Sequence, residues 1–169
     1  PFPTRPASDQ EEILAEPANE YISDFIRDID RLKVLQAENI MSRPFGLVSL
    51  KDGLNMAIKV MRENGISSAF VTDRNRGLKG IVTIDAAIEG LKQKKTLLDV
   101  LQTDVNTVDP SEYVENIIPM VLESKYPLVV VNEANVILGI ILRVHVLASL
   151  INDNGDNEAD EETERRLER

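Results

Sequence analysis

Few side chains in this sequence could carry out acid–base, nucleophilic or metal chemistry. The chain has no cysteine and one histidine, His145, so it offers no thiolate nucleophile and no second imidazole or thiolate to complete a metal site. No base, nucleophile and orienting group stand at workable spacing, and the G-x-x-x-x-G-K-[ST] loop that cradles phosphates is absent. We therefore predict that the chain is not an enzyme and binds no metal. His145 is either a partly exposed helix residue or a ligand-binding or pH-sensing group.

The charged residues are distributed unevenly along the chain. Residues 37–95 carry ten basic and six acidic side chains, whereas residues 96–151 carry two basic and seven acidic ones. A basic cluster, "LKQKKT", contains Lys92, Lys94 and Lys95. These lysines either complement the dipole of a helix that ends there or contact anionic lipid headgroups or an acidic surface. In the second case, salt would weaken the contact by shortening the Debye length.

The two ranges of opposite charge are also two copies of one sequence pattern, which we call the first repeat (37–95) and the second repeat (96–152). "GIVTIDAAIEGL" begins at Gly80, and "GIILRVHVLASL" begins at Gly139, 59 residues later. At an offset of 60, "AENIM" lies over "LLDVL" and "SSAFVTD" lies over "PLVVVNE". The change from 60 to 59 predicts a one-residue deletion in the turn after "SSAFVTD", since turns tolerate such changes.

Each repeat predicts the same order of helices and strands. Apolar residues recur at i, i+3, i+4 and i+7 in a first helix and again in a second, with two β-rich runs joined by a polar turn between them. With a short extended segment before the first helix, the pattern is β-α-β-β-α, twice, in an α/β (α+β) fold. The predicted apolar faces are Leu54, Ala57, Ile58 and Met61, then Ile84, Ala87, Ile88 and Leu91 in the first repeat, and Val114, Ile117, Ile118 and Val121, then Val144, Leu147, Ala148 and Ile151 in the second.

The segments outside the repeats have patterns of their own. Residues 1–36 predict a linker and a helix whose apolar stripe should pack on the repeats or on a second chain. The stripe consists of Ile22, Phe25, Ile26 and Ile29. Residues 153–169 form an acidic tail with few large apolar residues, and we expect it to lack a packed structure. No apolar run approaches the roughly 20 residues that cross a bilayer and no export signal is recognisable, so a cytoplasmic location is expected.

These features resemble a known family, the paired cystathionine-β-synthase (CBS) domains, over residues 37–152. The resemblance rests on "NIM" at the opening of the first repeat, on "GISSAFVTD" and on "LKGIVTIDAAI". It implies that the repeats pair about a pseudo-two-fold axis, because one side of each three-stranded sheet is covered only by the other repeat. The pairing leaves two clefts between the sheets, where many family members bind adenosine nucleotides.

The residues before the repeats resemble a more specific group. "EEILAEPANEYISDFIRDIDRLKVLQAENIM" is similar to the C-terminal end of the ATPase subunit of glycine betaine/L-proline (quaternary amine) ABC importers. The resemblance implies a regulatory module of a compatible-solute importer that senses ionic strength, an adenine nucleotide, or both. Its partners would be a second copy of the chain, the ATPase domain and the permease at the cytoplasmic face of the membrane, and no nucleic acid. The alternative is a ligand-independent platform that dimerises the ATPase subunits.

The resemblance also implies candidate ligand-binding residues. Nucleotide-binding members carry G-h-h-[ST]-x-x-D, in which the hydroxyl meets phosphate and the carboxylate holds the ribose. The first repeat has Thr83, but its carboxylate is Asp85, one residue early. The second repeat has Leu142 in place of the hydroxyl and His145 in place of the carboxylate. We therefore expect weak or no ATP binding, with any adenine ligand entering near Ser67, Thr83 and Asp85, and a cyclic adenine dinucleotide remains open.

Three of these residues have alternative roles. Thr83 could be only a hydroxyl at a strand end, and Asp85 could be the N-cap of the following helix, because a carboxylate there accepts a free backbone N–H. Arg143 could hold a phosphate or pair with an acidic residue of its own repeat.

Overall fold

Two similar halves follow one another in the structure. The computed structural model describes residues 30–151; the apolar stripe predicted within residues 22–29 and the acidic tail predicted at 153–169 lie outside them. Each half contains a three-stranded sheet, a helix between its first two strands and a helix after its third strand. The β-α-β-β-α order is therefore confirmed, and each half also begins with a single helical turn.

The elements are as follows. Residues 30–34 are helical. The first repeat contains α1 (Ala37–Ile40), β1 (Leu47–Ser49), α2 (Leu54–Glu63), β2 (Ser68–Thr72), β3 (Leu78–Thr83) and α3 (Ile84–Lys92). The second repeat contains α4 (Leu97–Val100), β4 (Thr107–Val108), α5 (Val114–Glu123), β5 (Leu128–Val131), β6 (Ile137–Ile141) and α6 (Arg143–Ile151). No helix within residues 30–151 is both long and apolar enough to cross a membrane.

The two sheets have the same topology and pack face to face. In each, the first strand pairs in parallel with the second, and the second pairs antiparallel with the third. Side chains alternate across a strand, so Ala69 and Val71 pack with the helices of the first repeat, whereas Phe70 joins a layer between the sheets. That shared layer consists of Phe70, Leu78, Ile81, Val129, Ile137 and Ile140.

The apolar faces predicted for the first helix of each repeat are confirmed. In α2, all four predicted residues are buried. In α5, three of the four are buried and Ile118 is half-buried. Because these helices lie flat on their sheets, the large apolar residues at helical spacing face the core directly.

The face predicted for α6 is wrong. The structure buries Val146 and Ser149, while Val144, Leu147 and Ile151 are 59%, 57% and 66% exposed. The apolar residues that suggested a core-facing stripe therefore lie on the outside of the molecule.

The face predicted for α3 is confirmed at Ile84, Ala87 and Ile88, which pack in the core of the first repeat, and is wrong at Leu91. The buried residues of α3 are Ala87 and Gly90, at the positions equivalent to those buried in α6. A Cβ atom on Gly90 would lie 2.9 Å from Val100 Cγ1 and 3.0 Å from Leu54 Cδ1, so two neighbouring helices approach too closely for a large side chain. The predicted Leu91 is accordingly 38% exposed. Where a helix packs through small residues, the pattern of large apolar residues in the sequence does not predict which of its faces is buried.

The opening segments of the two repeats are exchanged. Ala37, Ile40 and Met41 pack in the core of the second repeat, whereas Leu97 and its neighbours pack in the core of the first. Each segment also forms an isolated β-bridge with the third strand of the other repeat: Ser42 pairs with Ile140, and Gln102 pairs with Ile81. Each repeat therefore supplies part of the core and part of the sheet of the other.

Strand pairing corrects the alignment of the repeats. Val71 pairs with Gly80, and Val130 pairs with Gly139, so β2 and β5 are already related by an offset of 59. The offset of 60 predicted for "SSAFVTD" over "PLVVVNE" is wrong by one residue, and the deletion falls earlier, between the first helix and the second strand. The extra residue of the first repeat is Gly65. It follows the end of α2 and has the left-handed conformation, with φ of 63°.

The tips of the two β-hairpins meet. Leu78 N–H donates to Asn135 O (2.9 Å), Ile137 N–H donates to Arg76 O (3.2 Å) and Asn135 Nδ2 donates to Leu78 O (2.8 Å). These three hydrogen bonds between the hairpins join the repeats at the end of the shared layer.

Within the first hairpin, the hydrogen bond from the Gly77 N–H holds the pKa of the Asp73 carboxylate below its ordinary value.

The C-terminus of α3 contains a residue in an unfavourable conformation. Lys94 N–H donates to Leu91 O and Lys95 N–H donates to Gly90 O, which is the Schellman pattern that usually places glycine at the left-handed position. That position is held by Lys94, with φ of 57°.

We expect Lys94→Gly to raise the free energy of unfolding by about 1 kcal/mol, because the left-handed conformation costs a residue with a Cβ about that much. Urea denaturation followed by circular dichroism would measure it. Lys92→Gly, inside the last turn of α3, should instead lower the free energy of unfolding by about 1 kcal/mol. A loss of stability in Lys94→Gly would contradict the prediction.

Candidate functional site

A cavity of about 370 Å³ opens between the two repeats at the ends of their sheets. We call it the inter-repeat cavity. Its size is within the range of small-molecule sites. From the first repeat it is lined by Phe45, Gly65, Ile66, Ser67, Ser68 and Phe70, and from the second by Lys125, Tyr126, Pro127, Ile140 and Leu142.

A second cavity, of about 400 Å³, adjoins the first within the second repeat. We call it the Arg143 cavity. The two share four wall residues, so they adjoin at the turn between α5 and β5, and we call them together the recess. The Arg143 cavity is lined by Val121, Ser124, Lys125, Tyr126, Pro127, Ile141, Leu142, Arg143 and Val144.

The walls combine aromatic and apolar surfaces with cationic groups. Phe45 and Tyr126 contribute rings, and Leu142 contributes an aliphatic surface. Lys125 Nζ lies 5.6 Å from the centre of the Tyr126 ring, within the range of a cation–π contact. Aromatic faces stack on planar heterocycles, and guanidinium and ammonium groups bind phosphate. The recess is therefore suited to a flat ring that carries an anionic group.

Arg143 is held by the end of α5. Its Nε donates to Val121 O (3.3 Å), and its Nη2 donates to Leu122 O (3.2 Å) and Ser124 O (3.3 Å). Helix C-termini leave such carbonyls without intrahelical partners. The structure thus gives Arg143 a role that neither sequence-based alternative included, as the cap of a neighbouring helix.

The first repeat satisfies the equivalent carbonyls with its own backbone. Gly65 N–H donates to Arg62 O (3.2 Å) and Ile66 N–H donates to Met61 O (2.9 Å). The second repeat lacks the residue equivalent to Gly65, so the backbone cannot make this turn. The Arg143 side chain takes its place and is thereby fixed at the edge of the recess.

His145 lies apart from the recess. Its Nδ1 accepts a hydrogen bond from the Leu142 N–H (3.1 Å) at the start of α6, which it can do only while that nitrogen is unprotonated. The half-buried ring lines a smaller cavity of about 240 Å³. The other residues of that cavity are Arg31, Leu35, Asn39, Ile40, Ala148 and Ser149.

Thr83 and Asp85 line neither part of the recess. Thr83 is the N-cap of α3, and its Oγ1 accepts from the Ala86 N–H (3.2 Å). Asp85 is exposed in the first turn, so the expectation that Asp85 caps the helix is wrong. Ile84 N–H donates to Ser67 O (2.8 Å), which places the start of β2 beside the end of β3 at this edge.

Of the five ligand-binding candidates from the sequence, Ser67 and Arg143 line adjoining parts of the recess. Sequence reasoning missed Phe45, Lys125 and Tyr126. The corrected offset would have indicated one of them, because at 59 residues Tyr126 is the equivalent of Ser67, whereas the offset of 60 placed Pro127 there.

The basic cluster of Lys92, Lys94 and Lys95, which we call the lysine cluster, is exposed at the end of α3, away from the walls of the recess. Lys92 Nζ lies 4.0 Å from Glu89 Oε2, a surface pair of small energetic effect. Lys94 and Lys95 follow the helix and are exposed. Within residues 30–151, histidine, aspartate and glutamate side chains form no group of three that could hold a metal.

Comparison with known proteins shows the family. A family model described as "CBS domain" matches residues 37–92 and again 97–152. The glycine betaine/carnitine transport ATP-binding protein GbuA of Listeria monocytogenes is 43% identical over 141 residues, which cover 83% of this chain and 35% of GbuA. The chain thus spans about a third of the length of the curated relatives it matches.

Two solved structures have the same fold. Staphylococcus aureus OpuCA matches with a TM-score of 0.61 and 24% identity, over 68% of this chain and 97% of that chain. CBSX2 of Arabidopsis thaliana, in complex with AMP, matches with a TM-score of 0.61 and 21% identity, over 70% of this chain and 98% of that chain. Because the family model covers both repeats, the chain belongs to the CBS-domain family and carries two CBS domains in tandem.

Proposed function

We propose that this chain is the regulatory CBS pair of the ATP-binding subunit of a glycine betaine-type ABC importer. The support comes from GbuA, a transport ATP-binding protein that is 43% identical over the matched region, and from the sequence before the first repeat. In this role the chain acts at the cytoplasmic face of the membrane, beside the ATPase domain and the permease. It regulates transport and performs no catalysis itself.

The ligand that the recess suits best is an adenine nucleotide. The observation that carries this proposal is the pair of adjoining cavities in which Phe45 and Tyr126 supply aromatic walls and Lys125 and Arg143 supply cations. The AMP in the CBSX2 complex supports the same ligand class. Ser67 and Arg143 would contact the ligand, and a cyclic adenine dinucleotide would present two phosphates to the cations. Thr83 and His145 would contribute only through the helix starts that they hold, and Asp85 would not contact the ligand.

Titration calorimetry with AMP, ATP and a cyclic adenine dinucleotide tests this proposal. We expect ATP to bind with a dissociation constant of about 0.1 mM or weaker, because the recess lacks the phosphate-binding hydroxyl and the ribose-binding carboxylate of the family pattern. AMP or the cyclic dinucleotide should bind more tightly, and Tyr126→Ala should weaken that binding at least tenfold. Ser111→Ala, on an exposed turn, is the matched control. Absence of binding by all three ligands would contradict the proposal.

The second candidate function is a ligand-independent platform that holds two ATP-binding subunits together as a homodimer. Apolar side chains exposed on three helices favour it: Met56 on α2, Leu91 on α3 and Leu122 on α5 are 43%, 38% and 65% exposed. Light scattering at tens of micromolar should then give the mass of a dimer without added nucleotide. A monomer at that concentration would count against this candidate.

Ionic strength would act through the lysine cluster. Each lysine near an anionic membrane contributes on the order of 1 kcal/mol, and this attraction is screened by salt. We expect the chain to co-sediment with anionic vesicles at low salt and to be released at high salt. Lys92→Gln, Lys94→Gln and Lys95→Gln together should abolish the salt-sensitive fraction, whereas Lys51→Gln, Lys59→Gln and Lys79→Gln should not. An unchanged salt response in the first triple variant would remove the cluster from the mechanism.

A further inference from the structure

Helix α6 has an apolar outer face that no residue within 30–151 covers. We call Val144, Leu147 and Ile151 the α6 face; they are 59%, 57% and 66% exposed. Their spacing places them on one side of the helix, opposite the buried Val146 and Ser149. A contiguous apolar surface of this kind indicates a site of contact with another protein segment or molecule.

The fold itself does not require this face to be apolar. The equivalent positions on α3, at an offset of 59, are Asp85, Ile88 and Lys92. Two of the three are charged, and the third, Ile88, packs against the core of the first repeat. The apolar character of the α6 face is therefore specific to the second repeat. It indicates that another segment or molecule covers this face.

The chain enters the described structure beside this face. Arg31 lines the smaller cavity together with Ala148. On a helix surface, Ala148 adjoins Val144 at i−4 and Ile151 at i+3. The described part of the chain therefore begins close to the α6 face.

We propose that residues 22–29 of this chain dock on the α6 face. Their apolar residues recur at helical spacing: Ile22, Phe25, Ile26 and Ile29. Eight residues of helix are about 12 Å long, and the nine residues of α6 are about 13.5 Å long, so the two apolar surfaces match in length. An amphipathic helix laid on an apolar surface is a common mode of recognition.

The covalent connection of residues 22–29 to the described structure favours this segment over a second copy of the chain. A segment joined by a short connection has an effective concentration in the millimolar range. A second molecule at tens of micromolar is about a hundredfold more dilute. The docking does not depend on the proposed function; in the parent subunit, it would fix the approach of the preceding domain to the second repeat.

Cysteine cross-linking in the full 169-residue chain tests the proposal, because the chain has no cysteine of its own. Leu147→Cys is combined in turn with Ile22→Cys, Ile26→Cys and Ile29→Cys. At least one pair should form an intramolecular disulfide on mild oxidation, seen as a faster-migrating monomer on a non-reducing gel, since the bond requires Cα atoms within about 7 Å. Met56→Cys on α2 replaces Leu147→Cys as the matched control and should give no such band.

Other outcomes overturn the proposal. Disulfides only between two chains would assign the α6 face to a second copy, and no disulfide in any pair would leave residues 22–29 elsewhere. Hydrogen exchange gives an independent measurement without cysteines. Amides of residues 22–29 should exchange at least tenfold faster in Leu147→Asp than in the unmodified chain, while β2 and β3 exchange equally in both. Equal exchange of residues 22–29 in the two proteins would also overturn it.

Discussion

Gly80→Ala is expected to lower the free energy of unfolding by about 3 kcal/mol, the upper range for overpacking a closely packed site. A Cβ atom at this position would lie 2.3 Å from Gln102 O and 3.0 Å from Leu101 Cδ1. The carbonyl belongs to the backbone of the bridge between Gln102 and Ile81, so it cannot move aside without breaking that bridge. The midpoint of urea denaturation, followed by circular dichroism, would measure the loss.

Two other glycines provide controls. Gly139→Ala should cost less, because its Cβ would meet the flexible Met41 Sδ at 2.6 Å as well as Ser42 O at 2.9 Å. Gly65 has φ of 63° and open space around it, so Gly65→Ala reports conformational strain alone, about 1 kcal/mol. If Gly80→Ala destabilises no more than Gly65→Ala, the close approach of the exchanged segment is not what requires glycine.

Arg143→Ala is expected to lower the free energy of unfolding by about 1–2 kcal/mol. The side chain makes hydrogen bonds from a charged donor to three carbonyls, and such bonds contribute about 1.5–3 kcal/mol when buried. Because Arg143 is exposed, water replaces part of the lost interaction. Arg143→Lys should fall between, since an ammonium group cannot reproduce the fork of the guanidinium.

A compensating insertion makes this prediction specific. Inserting a glycine between Ser124 and Lys125 in the Arg143→Ala variant would restore the length of the turn found in the first repeat. The backbone could then cap α5 as Gly65 and Ile66 cap α2, and we expect it to recover at least half of the lost stability. The insertion should not stabilise the unmodified chain, whose carbonyls are already bonded. An insertion that destabilises both proteins equally would contradict the proposed equivalence of the two caps.

The elements and the core of the first helices were predictable because their signals are local. Alternation along β2 and helical spacing at Leu54, Ala57, Ile58 and Met61 arise from the chain's own geometry. The deletion between the repeats was misplaced because "SSAFVTD" and "PLVVVNE" are apolar runs that align almost equally well at either offset. Only the pairing of Val71 with Gly80 and of Val130 with Gly139 distinguishes them.

The candidate site was less predictable because its walls come from separate places in the sequence. The family pattern predicted Thr83 and Asp85 as ligand-binding residues, and these two are close in sequence and lie at one strand end. The recess instead joins Phe45 to Tyr126, and no local pattern brings these residues together. Arg143 was recognised as a candidate, but its use as a helix cap follows from a missing residue in a turn about 20 positions earlier.

The exchange of opening segments has a consequence for the origin and unfolding of the molecule. Ala37 and Met41 complete the second core, and Leu97 and Leu101 complete the first, so neither half is a complete folding unit. A single ancestral repeat could have filled its core only by trading this segment with an identical chain, as in a domain-swapped dimer. The present chain has the geometry of such a dimer with its two subunits fused. Separately expressed halves should therefore assemble with each other rather than fold alone, and the intact chain should unfold in one cooperative step.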